Sequence, residues 1–448
     1  MSARIRSRRA RLVPSMAGLA ALSLLAVACA PAGGDSGGGS DGGGDDQGGA
    51  TEFTFLTTVE NPQIRDELTR LSENQCAAEN EALPLVVDTI PQADVNQRVS
   101  VLASQDALPV MFVSPTSESK VGGDMYESGA LLELEETLTD LGVWEDVLPA
   151  AASTVNAIYG DMVSLPFQYN IEGFWYNKQI FADNGLEVPT TWAEFTEAAA
   201  ALDAAGVQPL TASGAQGWTI TRYISTYLAR ANGVDALAQV TDGSASFTDP
   251  DYLIAAQELA TLGEAGYFGQ GIVSRDMDTV TAEFFGGTAA MMYNGSWVLS
   301  NVYDEEQNTI GVDNIGFFPF PEVEGGAGSI DDYPANTGTV TAVSASLYND
   351  KVGAWLACIA ENYGSSLLEN QGAISGFVQN TEVDGVEPLV AEITERMVDA
   401  QDAVIWLEGP FDQRFGDAAG LSAGSLVDGG ISPEDYMAQI QDAVDAAQ

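Results

Sequence analysis

Apolar and polar positions follow two different periods along this chain, and the switches between them mark out its elements. Glu52–Leu56 alternates as a strand, and Gln63–Glu79 then takes the 3.6-residue period of an amphipathic helix. Pro84–Val87 predicts a second strand. Asp94–Gln105 predicts a helix with Val95, Val99 and Leu102 on one face. Leu108–Val113 predicts a third strand, running into Ser114-Pro115-Thr116. The expected class is α/β, in which ligands gather at strand ends.

Further along, Ile158–Lys178 reads as a Tyr-Gly-Asp turn followed by a long extended run. Pro166 lies inside that run and marks a crossing or edge segment, because proline cannot donate to a ladder. Thr191 and Glu194 have the spacing of a capping box, which makes Trp192 a structural residue at a helix start. Asp249–Gly266 is an amphipathic helix. Asp350–Asn362 and Ser366–Gln371 read as two helices, and Tyr436–Ala446 as a last one capped by Ser432-Pro433. The most informative stretch is Ala282–Asn301, AEFFGGTAAMMYNGSWVLSN. Its apolar run Ala289–Met292 is bounded by glycine and predicts a buried strand. Gly295 lets the chain turn, and Trp297 then stands at a strand-to-helix corner, where it either plugs a core or lines a cleft.

Composition adds boundaries. Arg4, Arg6, Arg8, Arg9 and Arg11 precede the apolar segment Met16–Ala28, the pattern of a signal peptide over residues 1–28. Leu25-Ala26-Val27-Ala28-Cys29 resembles a lipobox and predicts lipidation at Cys29. Residues 29–50 then form a tether rich in Gly, Ser and Asp. The chain has 65 acidic and 16 basic residues and a formal charge of −49, which argues against nucleic acid or anionic lipid as ligand. It contains no histidine, so Ser-His and Cys-His catalysis and His-ligated zinc are excluded. Cys76 and Cys358 either pair in an exported chain or are two buried thiols.

Two blocks carry a family resemblance, residues 158–195 and 282–300. G-x-x-A-M-x-x-N-G-x-W in the second resembles the mark of the family 1 extracellular solute-binding proteins of ABC importers, the maltose-binding-protein-like group. The resemblance implies a two-lobed periplasmic-binding-protein fold of type II, each lobe a mixed sheet flanked by helices, with strands crossing below a cleft. The implied division is 51–165 plus 286–332 for lobe 1 and 166–285 plus 333–448 for lobe 2. It also implies ligand contacts at Trp297, Asn170, Tyr169, Trp218, Asn294, Gly338, Thr337, Glu60 and Thr58, and Trp406 with Asp412 adds the aromatic–acid pair that a sugar site needs. For Tyr169 and Asn170 a scaffold role weighs equally. For Thr58 and Glu60 the alternative is helix capping. For Trp218 and Trp406 it is packing.

The chemistry suits a sugar: flat aromatic faces cover the C–H side of a pyranose, and amides, hydroxyls and carboxylates bond its hydroxyls. The implied partners are a carbohydrate ligand, ABC permease subunits and a membrane reached through a lipid anchor. No cofactor, metal or nucleic acid is expected, and the chain is expected to be a monomer on the extracellular face of the cell membrane. The same fold binding a peptide or polyamine, or serving as a sensor, is the alternative. An exported carbohydrate-active enzyme stands further off.

Overall fold

The computed structural model describes residues 49–59, 62–400, 403–411 and 413–446. The signal segment, Cys29, Glu60 and Asp412 lie outside the described residues.

Two sheets organise the chain. The first has the order β2-β1-β3-β9, from β1 (Phe53–Thr58), β2 (Leu85–Ile90), β3 (Met111–Val113) and β9 (Thr341–Val343). β2 and β3 run parallel to β1, each reached through helices, as parallel pairing requires. β9 closes the sheet antiparallel to β3. The second sheet has the order β10-β8-β4-β6-β5, from β4 (Asn170–Asn177), β5 (Gln208–Thr211), β6 (Ala289–Gly295), β8 (Tyr333–Asn336) and β10 (Ala403–Val404). Another strand, β7 (Ile315–Phe318), also pairs with β4. Every residue of β6 is buried, as its unbroken apolar run predicts.

Each sheet has its own hydrophobic core. One gathers Phe53, Phe55, Met111 and Phe112 with Trp355 and Ile359. The other gathers Phe174, Phe195, Tyr223 and Tyr293 with Phe318 and Phe320. A third cluster lies at the crossings, where Tyr169, Ile171 and Trp175 meet Val298, Leu299, Leu368 and Ile374. The chain passes between the sheets near residues 165–170 and 336–341. It passes again between Phe377 in the first core and Leu407 in the second.

The strand pairing corrects the expected lobe division. Residues 286–332 were expected in the first lobe, yet β6 and β7 both pair with β4 in the second sheet. Residues from 333 onward were expected in the second lobe, yet β9 joins the first sheet, and helix Asp350–Gln371 buries Trp355, Leu356 and Ile359 in the first core. The reason is the position of the return crossing. It runs between β8 and β9, so what precedes it belongs with β4 and the helix after it belongs with β1.

Local chemistry accounts for several boundaries. The expected helix Gln63–Glu79 breaks into Pro62–Glu73 and Ala77–Ala82, and the break holds Cys76, which forms a disulfide with Cys358. The two helices expected over 350–371 are one continuous helix, N-capped by the Asn349 side chain. The Thr191–Glu194 capping box is formed in full. Trp192 stacks on Phe195 and Phe320 and donates to Glu258 at 2.9 Å, a structural residue as expected.

Candidate functional site

Strand alternation decides which residues of the first crossing reach open space. Gln168 and Asn170 line a cavity of about 640 Å³, while Tyr169 points to the opposite side and is buried with Trp175 in the third core cluster. Burial pushes the Tyr169 phenol up to about 12. Tyr169 is therefore a packing residue, and the expected contact role is corrected.

The register of β4 brings the other polar groups together. Asn170 lies opposite Asn336 on β8, and Glu172 lies opposite Gly295 on β6. The Ser296 hydroxyl donates to Asn170 Oδ1 at 3.1 Å. Trp297 follows at the corner, over a third exposed, and lines the same cavity. Its ring folds back over Gly295, where an added Cβ would overlap the indole, so this close approach needs glycine. Asn294 is buried. Its amide oxygen accepts the Gly295 N–H at 2.9 Å, its backbone carbonyl accepts the Trp175 indole N–H at 3.1 Å, and it lines neither cavity described here. Its expected contact role is corrected on that geometry.

A second cavity, of about 400 Å³, is lined by Gln216, Trp218, Arg222, Trp406 and Glu408 among others. Trp218, on this cavity, and Trp297, on the first, have their rings 5.8 Å apart, tilted by 57°. Helix Trp218–Asn232 sets Trp218 and Arg222 four residues apart on one face. The guanidinium lies over the Trp218 ring at 5.5 Å and over the Trp406 ring at 5.3 Å. It donates to Glu172 Oε2 at 2.9 Å and Glu408 Oε2 at 3.1 Å. The Thr221 hydroxyl also reaches Glu408. Burial raises the Glu172 pKa, against the pull of Arg222 and a hydrogen bond from Asn336. Burial works against the Arg222 charge too, but Glu172 and Glu408 outweigh it and the arginine's pKa rises. Tryptophans 297, 218 and 406 thus form one aromatic wall, with an arginine set between the last two.

Three further expected contacts behave differently from one another. Thr58, at the end of β1, is buried and lines neither cavity. Thr337 is buried beside Tyr159, whose phenol bonds both Thr337 and Thr116 and is pushed up to about 12 mainly by burial. Gly338 is exposed at φ +71°, and a Cβ there would overlap the Gln168 amide. It shapes the crossing by letting Gln168 lie against the backbone. Sequence reasoning missed Arg222 and Glu172. The signals were an acid inside the apolar run of β4 and an arginine one helical turn after Trp218.

A sequence model of the bacterial extracellular solute-binding proteins matches residues 77–362. The chain belongs to that family. The sn-glycerol-3-phosphate-binding periplasmic protein of Salmonella typhimurium is 28% identical over 211 residues, 44% of this chain and 45% of the relative. A multiple sugar-binding protein of Streptococcus mutans is 27% identical over 173 residues, 37% of this chain and 40% of the relative. The chain thus spans less than half the length of the curated relatives it matches. Among solved structures, a chitin oligosaccharide binding protein superposes with a TM-score of 0.70 at 22% identity, covering 89% of this chain and 99% of that one. This likeness shows the type II solute-binding fold: two sheets flanked by helices with strands crossing between them. Among the described residues of this solute-binding protein, no helix is long and apolar enough to cross a membrane.

Proposed function

We propose that this protein is the substrate-binding lipoprotein of an ABC importer, which takes up a sugar or oligosaccharide, closes on it by hinge motion and delivers it to the membrane permease. The observation that carries this reading is the tryptophan wall of Trp297, Trp218 and Trp406 beside neutral hydrogen-bonding groups, Asn170, Gln168 and Ser296, on and beside the first crossing. Indole faces suit the C–H side of a sugar ring, and amides and hydroxyls suit its rim. The relatives' names, multiple sugar-binding protein and chitin oligosaccharide binding protein, support the same class. Glu172 and Glu408 both hold Arg222, which favours binding over glycoside hydrolysis, where one acid must carry a proton and the other stand free. Cys29 is the anchoring residue in this reading and holds the monomer at the extracellular face of the membrane.

A thermal-shift screen against mono- and oligosaccharides tests the reading. A cleft ligand raises Tm in proportion to the logarithm of its excess over Kd. The expected outcome is a concentration-dependent rise with at least one sugar. A flat response to every sugar, with a rise for peptides or polyamines, overturns it.

A further inference from the structure

Arg222 is the one basic residue lining either cavity, among the described residues. A lone cleft arginine is the usual receptor for a phosphate or carboxylate. Here that role is closed off. The guanidinium is held by two carboxylates, at 2.9 Å and 3.1 Å, and lies over two indole rings, at 5.5 Å and 5.3 Å from their centroids. The charged groups around it do not restore positive potential. The larger cavity is lined by Glu369, Asp384 and Glu387 with no lysine or arginine.

We propose that the cleft takes an uncharged glycoside and rejects phosphate esters, with Glu172 and Glu408 converting its arginine from an anion receptor into a strut that holds Trp218 and Trp406 in place. This rests on the sugar-binding reading above and narrows it. With both acids ionised the triad carries one net negative charge, and an incoming phosphate meets repulsion at short range. With Glu172 protonated the triad is neutral, and it still offers no net positive charge. One of the relatives is named for sn-glycerol 3-phosphate, so the two solute classes are a real choice for this family.

The test is calorimetric titration of the whole soluble chain with sn-glycerol 3-phosphate, glucose 6-phosphate and inorganic phosphate, alongside the neutral oligosaccharide panel. Wild type is expected to show no binding heat with any phosphate at millimolar concentration. Glu408→Gln removes one of the two carboxylates and is expected to gain phosphate affinity by about tenfold or more. Micromolar binding of sn-glycerol 3-phosphate by wild type overturns the inference, while leaving a solute-binding protein intact. A Glu408→Gln protein with a native circular dichroism spectrum and no gain for phosphate overturns the role given to that carboxylate. If no neutral sugar binds and the phosphates are still rejected, the sugar reading falls and the rejection of anions stands. Raising the ionic strength adds an independent reading. The affinity for a neutral oligosaccharide is expected to change less than twofold, whereas a steep loss would mean that binding draws on the charge of the cleft and count against the proposal.

Discussion

The first lobe is closed by a covalent link and the second by an ionic one. In the first, Cys76 at the break after helix Pro62–Glu73 is bonded to Cys358 on helix Asp350–Gln371, across a sequence separation of 282. In the second, a largely buried arginine ties β4, helix Trp218–Asn232 and the segment after β10 together through Glu172 and Glu408. A disulfide acts largely by restricting the unfolded chain and places no demand on the cleft. A buried ion pair offers little net stability over an apolar core, but it fixes geometry and makes each partner costly to remove. The lobe that presents Trp218 and Trp297 is the one held by charge. Packing and the proposed ligand contact therefore share side chains in the second lobe and are separate in the first.

Removing one member of the charge cluster is the sharpest way to break this contrast. Arg222→Met leaves Glu172 buried and unpaired beside Glu408, and unfolding in urea is expected to show a loss of about 3–5 kcal/mol. Sugar affinity is expected to fall in the same protein, because Trp218 and Trp406 lose the group between them. Retained stability would mean that water reaches Glu172 and that the cluster is not a closure.

The covalent side of the comparison is tested by Cys76→Ser with Cys358→Ser. The long loop predicts a loss of about 2–5 kcal/mol in the first lobe. Sugar affinity is expected to stay within twofold of wild type, since neither cysteine lines either of the two cavities at the candidate site. If affinity fell as steeply as stability, the two lobes would not differ in the way described.

Trp297→Ala acts directly on the proposed ligand contact. With about a third of its surface open, the indole adds little to the core, so folding is expected to be nearly unchanged. Binding of the best sugar is expected to weaken by about 1–4 kcal/mol. Lost folding with unchanged affinity in calorimetry would make Trp297 a core plug.

Much of the first lobe was legible in the sequence, because its strands and helices are local periodic patterns separated by turns. The lobe boundaries were not, since a crossing is defined by which strands pair, and a pairing as distant as Asn170 with Asn336 leaves no local mark. In the candidate site, the aromatic corner at Gly295–Trp297 was readable because glycine and tryptophan are both specific there. Tyr169 and Asn170 could not be separated before the register was known, as neighbours on a strand face opposite ways. Arg222 and Glu172 were missed for a related reason. Fifty residues separate them, and a buried acid announces itself only once its partner is in place.

The smallest effect isolates stability from binding inside the second lobe. Thr191 caps helix Trp192–Ala204, its hydroxyl accepting the Glu194 N–H at 3.2 Å, and it lies outside both cavities. Thr191→Ala is expected to cost about 0.5–2 kcal/mol in urea unfolding and to leave sugar affinity unchanged. Its box partner adds a dependence on pH. The Thr190 N–H, the Thr190 hydroxyl and the Thr191 N–H donate to Glu194 and hold its carboxyl below the usual carboxylate range. A carboxyl lowered by folding contributes stability above its unfolded pKa and loses it as pH falls through the lowered folded value. Glu194→Gln is therefore expected to destabilise the protein more at neutral pH than in acid, with the two proteins converging as the wild-type carboxyl takes up its proton. A difference that grew on acidification would mean the carboxylate is strained rather than stabilised at this helix start.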